Sequence, residues 1–372
     1  MNACFMKVLN ISIMTGWLVL AVLLLRFALK KAPKWVRCLL WGLVALRLVL
    51  PINIQSKLSL LPSAETFRKE AVTVEAEEQD EPMRYERVVL RSGIAMVDDA
   101  VNPVMARTET AMTKRADSAA AWIWAVGVGA MLLYSAAAYI YMKIKVRASL
   151  ETEPGVFVCD EVKDPFILGA IVPRIYLPSG LDERSRENIL AHERAHIRRL
   201  DHIWKPLGFL LLSIHWFNPL IWLAFILLSR DIEFACDEKV ISLLDAEGKA
   251  SYSDTLLAFS RTRKALAVCP VAFGEVGVKQ RVRSVLGYRK SALWVVFMAL
   301  IASAVVAVCF LTSPIPAMAA EAGDAVMTIA PKKSLPGKLS AGGKEEPEEE
   351  EGMLVSFTDR MMCVKPNCET AE

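Results

Sequence analysis

His192-Glu193-Arg194-Ala195-His196 has a spacing with chemical meaning. On a helix, residues four apart share a face, so both imidazoles can turn a nitrogen toward one metal ion while Glu193 stands beside them as a general base. Zinc suits that donor set, and hydrolysis of a peptide bond is the chemistry it supports. The chain has four histidines, and all of them fall between positions 192 and 215.

A catalytic zinc ordinarily takes three protein ligands and leaves a fourth position for water. Two residues compete to be the third. His202 stands six places after His196, the spacing of the last histidine in HExxHxxGxxH, but that pattern needs glycine for a sharp turn where this chain has Arg199. Glu233, in Glu233-Phe234-Ala235-Cys236-Asp237, shares one face of a later helix with Asp237. One carboxylate would bind the metal and the other would orient a ligating imidazole. A solvated charged face would also account for Asp231, Glu233, Asp237 and Glu238, yet Ile232, Phe234 and Val240 in the same stretch favour burial. The expectation is one Zn2+ per chain held by His192, His196 and Glu233, with Glu193 catalytic and Asp237 behind the ligands. Tyr252 and several arginines are candidates for stabilising the oxyanion, with none singled out.

These residues need elements to carry them. A helix is expected from about Glu183 to Leu200, capped by Asp182 or Ser179. Ahead of it, 155–159, 166–172 and 174–177 read as strands of a small sheet punctuated by Pro165, Pro173 and Pro178. Prolines there suit an edge strand, which can hold an extended peptide or merely support the helix behind it. Between the two motifs, Pro206 to Leu228 is apolar enough to cross a bilayer once, which would leave His196 and Glu233 on opposite sides. Metal bonds of about 2.0–2.2 Å forbid that, so 206–229 must double back as a membrane-embedded helical hairpin. His215-Trp216-Phe217-Asn218-Pro219 supplies the break, which makes His215 a turn residue rather than a ligand.

The 372 residues are 54% hydrophobic, with a mean hydropathy of +0.35, too apolar for an ordinary soluble domain. Four runs approach or reach the ~20 residues of a transmembrane helix: Leu9 to Leu25, Val36 to Ile52, Ala119 to Met142 and Ser291 to Leu311. All nine tryptophans lie in or beside apolar runs, as interfacial anchors do. The first run is followed by Arg26, Lys30 and Lys31 without a small-residue cleavage site, so it reads as a retained anchor. Basic residues 30–37, 143–147 and 281–290 place those segments in the cytoplasm. The fold expected is mainly α, a polytopic membrane protein with four transmembrane helices and a cytoplasmic gluzincin-like zinc peptidase domain. Its order would be 1–53 with two crossings, an external loop 54–118, a third crossing 119–142, the peptidase domain 143–290, a fourth crossing 291–312 and an external low-complexity tail 313–372. Both termini would lie outside. The 54–118 loop reads as loosely structured, with one short helix at most.

A net charge of +3 is explained by topology, and no basic helix suited to DNA appears, so direct nucleic-acid binding is not expected. The eight cysteines include no CxxC pair. Only Cys363 and Cys368, in the tail, are placed to form a disulfide.

Taken together, Pro173–Pro178, His192–His202, His215–Leu220 and Glu233–Glu238 resemble, in order and approximate spacing, the BlaR/MecR-type membrane metallopeptidases of bacterial antirepressor systems. The resemblance covers about residues 1–313 and implies His192, His196 and Glu233 as zinc ligands with Glu193 as catalyst. It departs at the C-terminus: family members that sense β-lactams carry a penicillin-binding domain with Ser-x-x-Lys, and this chain has no Ser-x-x-Lys. β-Lactam acylation is therefore not expected.

The function expected is a zinc-dependent membrane endopeptidase in signalling, cutting a cytosolic repressor-type protein or itself. A constitutive quality-control protease and a non-catalytic scaffold are the alternatives, and the intact Glu193 weighs against the scaffold. Partners would be the lipid bilayer and the protein substrate, with a homo-oligomer left open.

Overall fold

The apolar runs become helices whose ends are set by proline, charge and capping side chains. The structure, a computed structural model, describes residues 2–50, 55–56, 67–74, 83–90, 100, 102, 113–262 and 277–314. In chain order the helices are α1 (Asn2–Ala28), α2 (Lys34–Val49), α3 (Thr113–Lys145), α4 (Glu183–Arg198), α5 (Asp201–Ile214), α6 (Pro219–Ile241), α7 (Ala246–Thr262), α8 (Val278–Leu286) and α9 (Leu293–Leu311). Among the described residues, three stretches are long and apolar enough to cross a membrane: Ala3–Ala28, Ala119–Lys145 and Leu293–Leu311. The expected run from Val36 to Ile52 becomes α2. With 16 residues it is about 24 Å long, below the ~30 Å hydrocarbon thickness, and it carries Arg37 and Arg47.

Where a loosely structured loop was expected, β2 (Phe67–Val74) pairs antiparallel with β3 (Met83–Leu90), after a short β1 (Gln55–Ser56) that pairs with β8 (Ser313–Pro314). Charged residues interrupt both hairpin strands, so no clean two-residue alternation announces them. Cys363 and Cys368 lie outside the described residues.

The segment after α3 forms a four-stranded sheet of β4 (Leu150–Glu153), β5 (Val156–Cys159), β6 (Phe166–Leu168) and β7 (Arg174–Pro178), in the order β4-β5-β7-β6. β6, which follows Pro165, is an edge, and Pro173 and Pro178 bracket the ladder of β7. Val156, Ile175 and Leu177 pack one face of the sheet against Ile189 and Leu190 of α4. The Asp182 carboxylate accepts the Ser185 amide at 3.0 Å and fixes the start of α4. That cap also holds the Asp182 carboxyl below its usual value.

The largest core joins α1, α2, α5 and α6 through Leu18, Val22, Leu40, Val44, Leu212 and Phe225. α5 and α6 form a helical hairpin. Asn218 caps α6 by accepting the Leu220 amide at 2.9 Å and donates from Nδ2 to the Ser12 hydroxyl and carbonyl of α1. Trp124 of α3 donates to the Ile214 carbonyl, and Trp216 donates to the Trp124 carbonyl, so the turn is stitched to two apolar helices. At the other end of the pair, Arg26 of α1 binds Asp231 of α6 at 2.7 and 2.9 Å. The rise of about 1.5 Å per residue puts the turn roughly 20 Å along α1 from that ion pair. α5 and α6 therefore leave from and return to one level.

Candidate metal centre

α4 presents His192, Glu193 and His196 on its buried side, 8%, 7% and 6% exposed. α6 brings Glu233 and Asp237 up to them, and α7 and α8 close the site with Tyr252 and Arg281. His192 Nε2 lies 3.1 Å from His196 Nε2. Glu233 Oε2 is 3.5 Å from the first of these atoms and Oε1 is 3.6 Å from the second. In a tetrahedral zinc site with bonds of about 2.0–2.1 Å, neighbouring donors stand about 3.3–3.4 Å apart. The three separations straddle that value.

The other ring nitrogens explain why these donors face one another. Asp201 Oδ2 lies 3.0 Å from His196 Nδ1. Tyr252 donates its hydroxyl to Asp237 Oδ1 at 2.7 Å, which leaves its oxygen, 2.8 Å from His192 Nδ1, free to accept. Both networks assign the ring proton to Nδ1 and leave an Nε2 lone pair on each imidazole. Two lone pairs and a carboxylate converging at such range call for positive charge nearby, which Arg281, 3.3 Å from His192 Nε2, and Lys205 supply at the edges of the cluster. The donor set and its separations fit zinc.

Cationic side chains flank the cluster. Lys205 Nζ binds Glu233 Oε1 at 2.8 Å. Arg281 grips Asp237 with Nε at 2.8 Å and a terminal nitrogen at 2.6 Å, and reaches within 3.5 Å of Glu233 Oε2. Burial by itself would raise the Glu233 carboxyl, but the charges of Lys205 and Arg281 outweigh it and hold it well below the usual range. Burial and the Asp237 carboxylate push the Tyr252 phenol well up, so it stays a neutral relay between Asp237 and His192. At Asp201 burial opposes ionisation and is outweighed by His196 and Arg199, leaving that carboxyl lowered.

Of the residues singled out from sequence, the structure brings His192, His196 and Glu233 within 4.8 Å of one another, ligand atom to ligand atom. Glu193 lines the same narrow cleft of about 60 Å³ as His192, Arg281, Pro165, Ile189 and Phe259. Asp237 is 3.4 Å from His192 Nδ1, and its shorter connection to that ring runs through Tyr252. That places the Tyr252 hydroxyl behind His192, where it holds the imidazole and faces away from the Nε2 cluster. His202 belongs to neither cluster of potential metal ligands among the described residues. A larger hollow of about 460 Å³ between the start of α4 and α7 holds none of the site residues.

Sequence reasoning gave no role to Asp201, Lys205 or Arg281. Asp201 reaches His196 only because Leu200 adopts a left-handed backbone, φ 60°, between α4 and α5. Leucine rarely does this, so no residue type advertised the turn.

The sequence matches the family described as BlaR1 peptidase M56 over residues 6–286, about three quarters of the chain. The chain belongs to this family. It is thus a metallopeptidase-family protein whose described residues include helices long and apolar enough to cross a membrane. The regulatory protein BlaR1 of Bacillus licheniformis is 27% identical over 213 residues, half of this chain and 35% of that protein. The methicillin resistance mecR1 protein of Staphylococcus aureus is 26% identical over 103 residues, 27% of this chain and 18% of that protein. A mecR1 protein of Staphylococcus epidermidis matches to the same extent. The chain spans about a third or less of the length of these curated relatives.

Proposed function

We propose that this M56 peptidase is a zinc-dependent endopeptidase that cuts a cytosolic repressor-type protein, or itself, as a step in membrane signalling. The observation that carries the reading is the convergence of two Nε2 lone pairs and the Glu233 carboxylate at donor separations of 3.1–3.6 Å. His192, His196 and Glu233 would hold one zinc per chain. When bound, the ion supplies a Lewis acid that lowers the pKa of water at its open position. Glu193, in the cleft beside His192, takes the proton from water and passes it to the leaving amine. Asp201 and the Tyr252–Asp237 pair keep both rings in one tautomer and one orientation.

In this reading α1, α2, α3 and α9 cross the bilayer and residues 143–290 face the cytoplasm, with both termini outside. Support for α2 as the fourth crossing comes from its two ends. Ser291, just before α9, donates to the Lys31 carbonyl, and Arg47 donates to the Leu311 carbonyl at the far end of α9, so α2 covers the span of α9. Lys30, Lys31 and Lys34 then lie level with Arg289 and Lys290 on the inner side. The hairpin of α5 and α6 enters the bilayer from that side.

The names of the relatives, a regulatory protein and methicillin resistance proteins, support signalling over quality control as the biological setting. The test is the full-length protein with and without Glu193→Gln, followed for cleavage of itself and of co-expressed repressors. Cleavage should stop in the variant while zinc stays near one per chain. Undiminished cleavage would remove Glu193 from the chemistry.

A further inference from the structure

We propose that Asp231 is a positioning residue through which α1 and α2 set the place of the Glu233 carboxylate. The proposal rests on the reading of Glu233 as a zinc ligand. Asp231 is fully buried on α6. Its Oδ2 accepts from Arg26 Nε of α1 at 2.7 Å and from Trp41 Nε1 of α2 at 2.9 Å. Its Oδ1 accepts from a second Arg26 nitrogen at 2.9 Å and has Arg37 of α2 at 3.8 Å. One helical repeat of seven residues further along, Glu238 accepts the Lys34 backbone amide at the start of α2 at 2.7 Å. Asp231 and Glu238 therefore form a charged stripe on α6 that meets the first two helices.

Glu233 stands two residues from Asp231, about 200° around the helix axis, so it points to the opposite side, toward His192 and His196. A helix held at one buried carboxylate by a two-pronged guanidinium and an indole has little freedom to rotate or slide. Any rotation of α6 that breaks this grip turns Glu233 off the imidazoles. Any shift of α1 or α2 that carries the grip along moves Glu233 with it. The arrangement connects apolar helices to the metal centre through atoms that touch neither the metal nor the substrate cleft.

The experiment measures zinc affinity by chelator competition on the purified full-length protein, for Asp231→Asn, Glu233→Ala and the double variant. Asn keeps the size of the side chain and an acceptor for Trp41 while removing the charge that Arg26 grips. Asp231→Asn should weaken zinc at least ten-fold, the range for residues that orient ligands. In the Glu233→Ala background it should cause no further loss, because its effect passes through that carboxylate. Arg26→Lys should retain more affinity than Arg26→Gln.

If Asp231→Asn does not fold, Trp41→Phe and Arg26→Gln each remove one set of contacts and are measured in the same cycle. A purely structural Asp231 would lower the unfolding temperature and leave the zinc affinity of the folded protein unchanged, or would weaken zinc equally in both backgrounds. Either result overturns the proposal. Undiminished affinity in Glu233→Ala alone is a separate outcome, which overturns the ligand assignment and the positioning role with it.

Discussion

At the scale of single residues, the site depends on where two protons sit. Tyr252 and Asp201 fix the Nδ1 protons of His192 and His196, so removing either acceptor frees a ring to change tautomer and turn. Tyr252→Phe and Asp201→Ala should each weaken zinc about ten- to a hundred-fold, measured by chelator competition, with the helical content of the protein retained. The carboxyls of Asp201 and Glu233 both sit below their usual values in the absence of metal. Their contribution to the stability of the metal-free protein is present above their unfolded values and is lost as pH falls through the lowered ones. Acid unfolding of the metal-free protein should therefore steepen below about pH 4, whereas Asp201→Asn should show a shallower loss. His192, His196, Glu233 and Asp237 could be singled out in the sequence because their types and spacings carry the chemistry, whereas Asp201 could not. Nor could Arg281: a basic residue 44 positions beyond Asp237 looks like any other until the fold brings the two within 2.6 Å.

At the scale of elements, two places show strain or close approach that sequence patterns do not record. Leu200 links α4 to α5 with φ 60° and is half exposed, so its side chain gains little from packing while its backbone is in a region costly to leucine. Leu200→Gly should stabilise the protein by about 0.5–1 kcal/mol in thermal unfolding and leave zinc affinity unchanged. Gly127 of α3 is pressed against Trp216 at the hairpin turn, where an added Cβ would lie 2.4 Å from the indole. Gly127→Ala should cost about 1–3 kcal/mol, because the indole must move away from its bond to the Trp124 carbonyl. The hairpin itself could be read from sequence, since metal geometry forbids a single crossing and Asn218-Pro219 marks the turn. The paired strands β2 and β3 could not, because charged residues within both strands hide the alternation that would announce them.

At the scale of the whole molecule, the described residues combine three helices long and apolar enough to cross a membrane, a shorter helix alongside them and a candidate metal centre that a helical hairpin links to them. In the proposed topology apolar burial would not drive helix association within lipid, and α1, α2, α5 and α6 would depend on close packing and on polar stitches such as Asn218–Ser12 and Arg26–Asp231. Number and length of the apolar runs were plain in the sequence. The run from Val36 to Ile52, expected to cross, instead forms the 16-residue α2, whose Arg37 and Arg47 find their partners, Asp231 and the Leu311 carbonyl, far away in the chain.

The account turns on the hairpin returning to the side it leaves. Epitopes inserted at Gly180, ahead of α4, and between Leu244 and Asp245, beyond α6, would mark both ends in sealed membrane vesicles of known orientation. Both should be reached by antibody only in inside-out vesicles. Exposure of the two epitopes on opposite faces would separate His192 and His196 from Glu233 and contradict a shared metal centre.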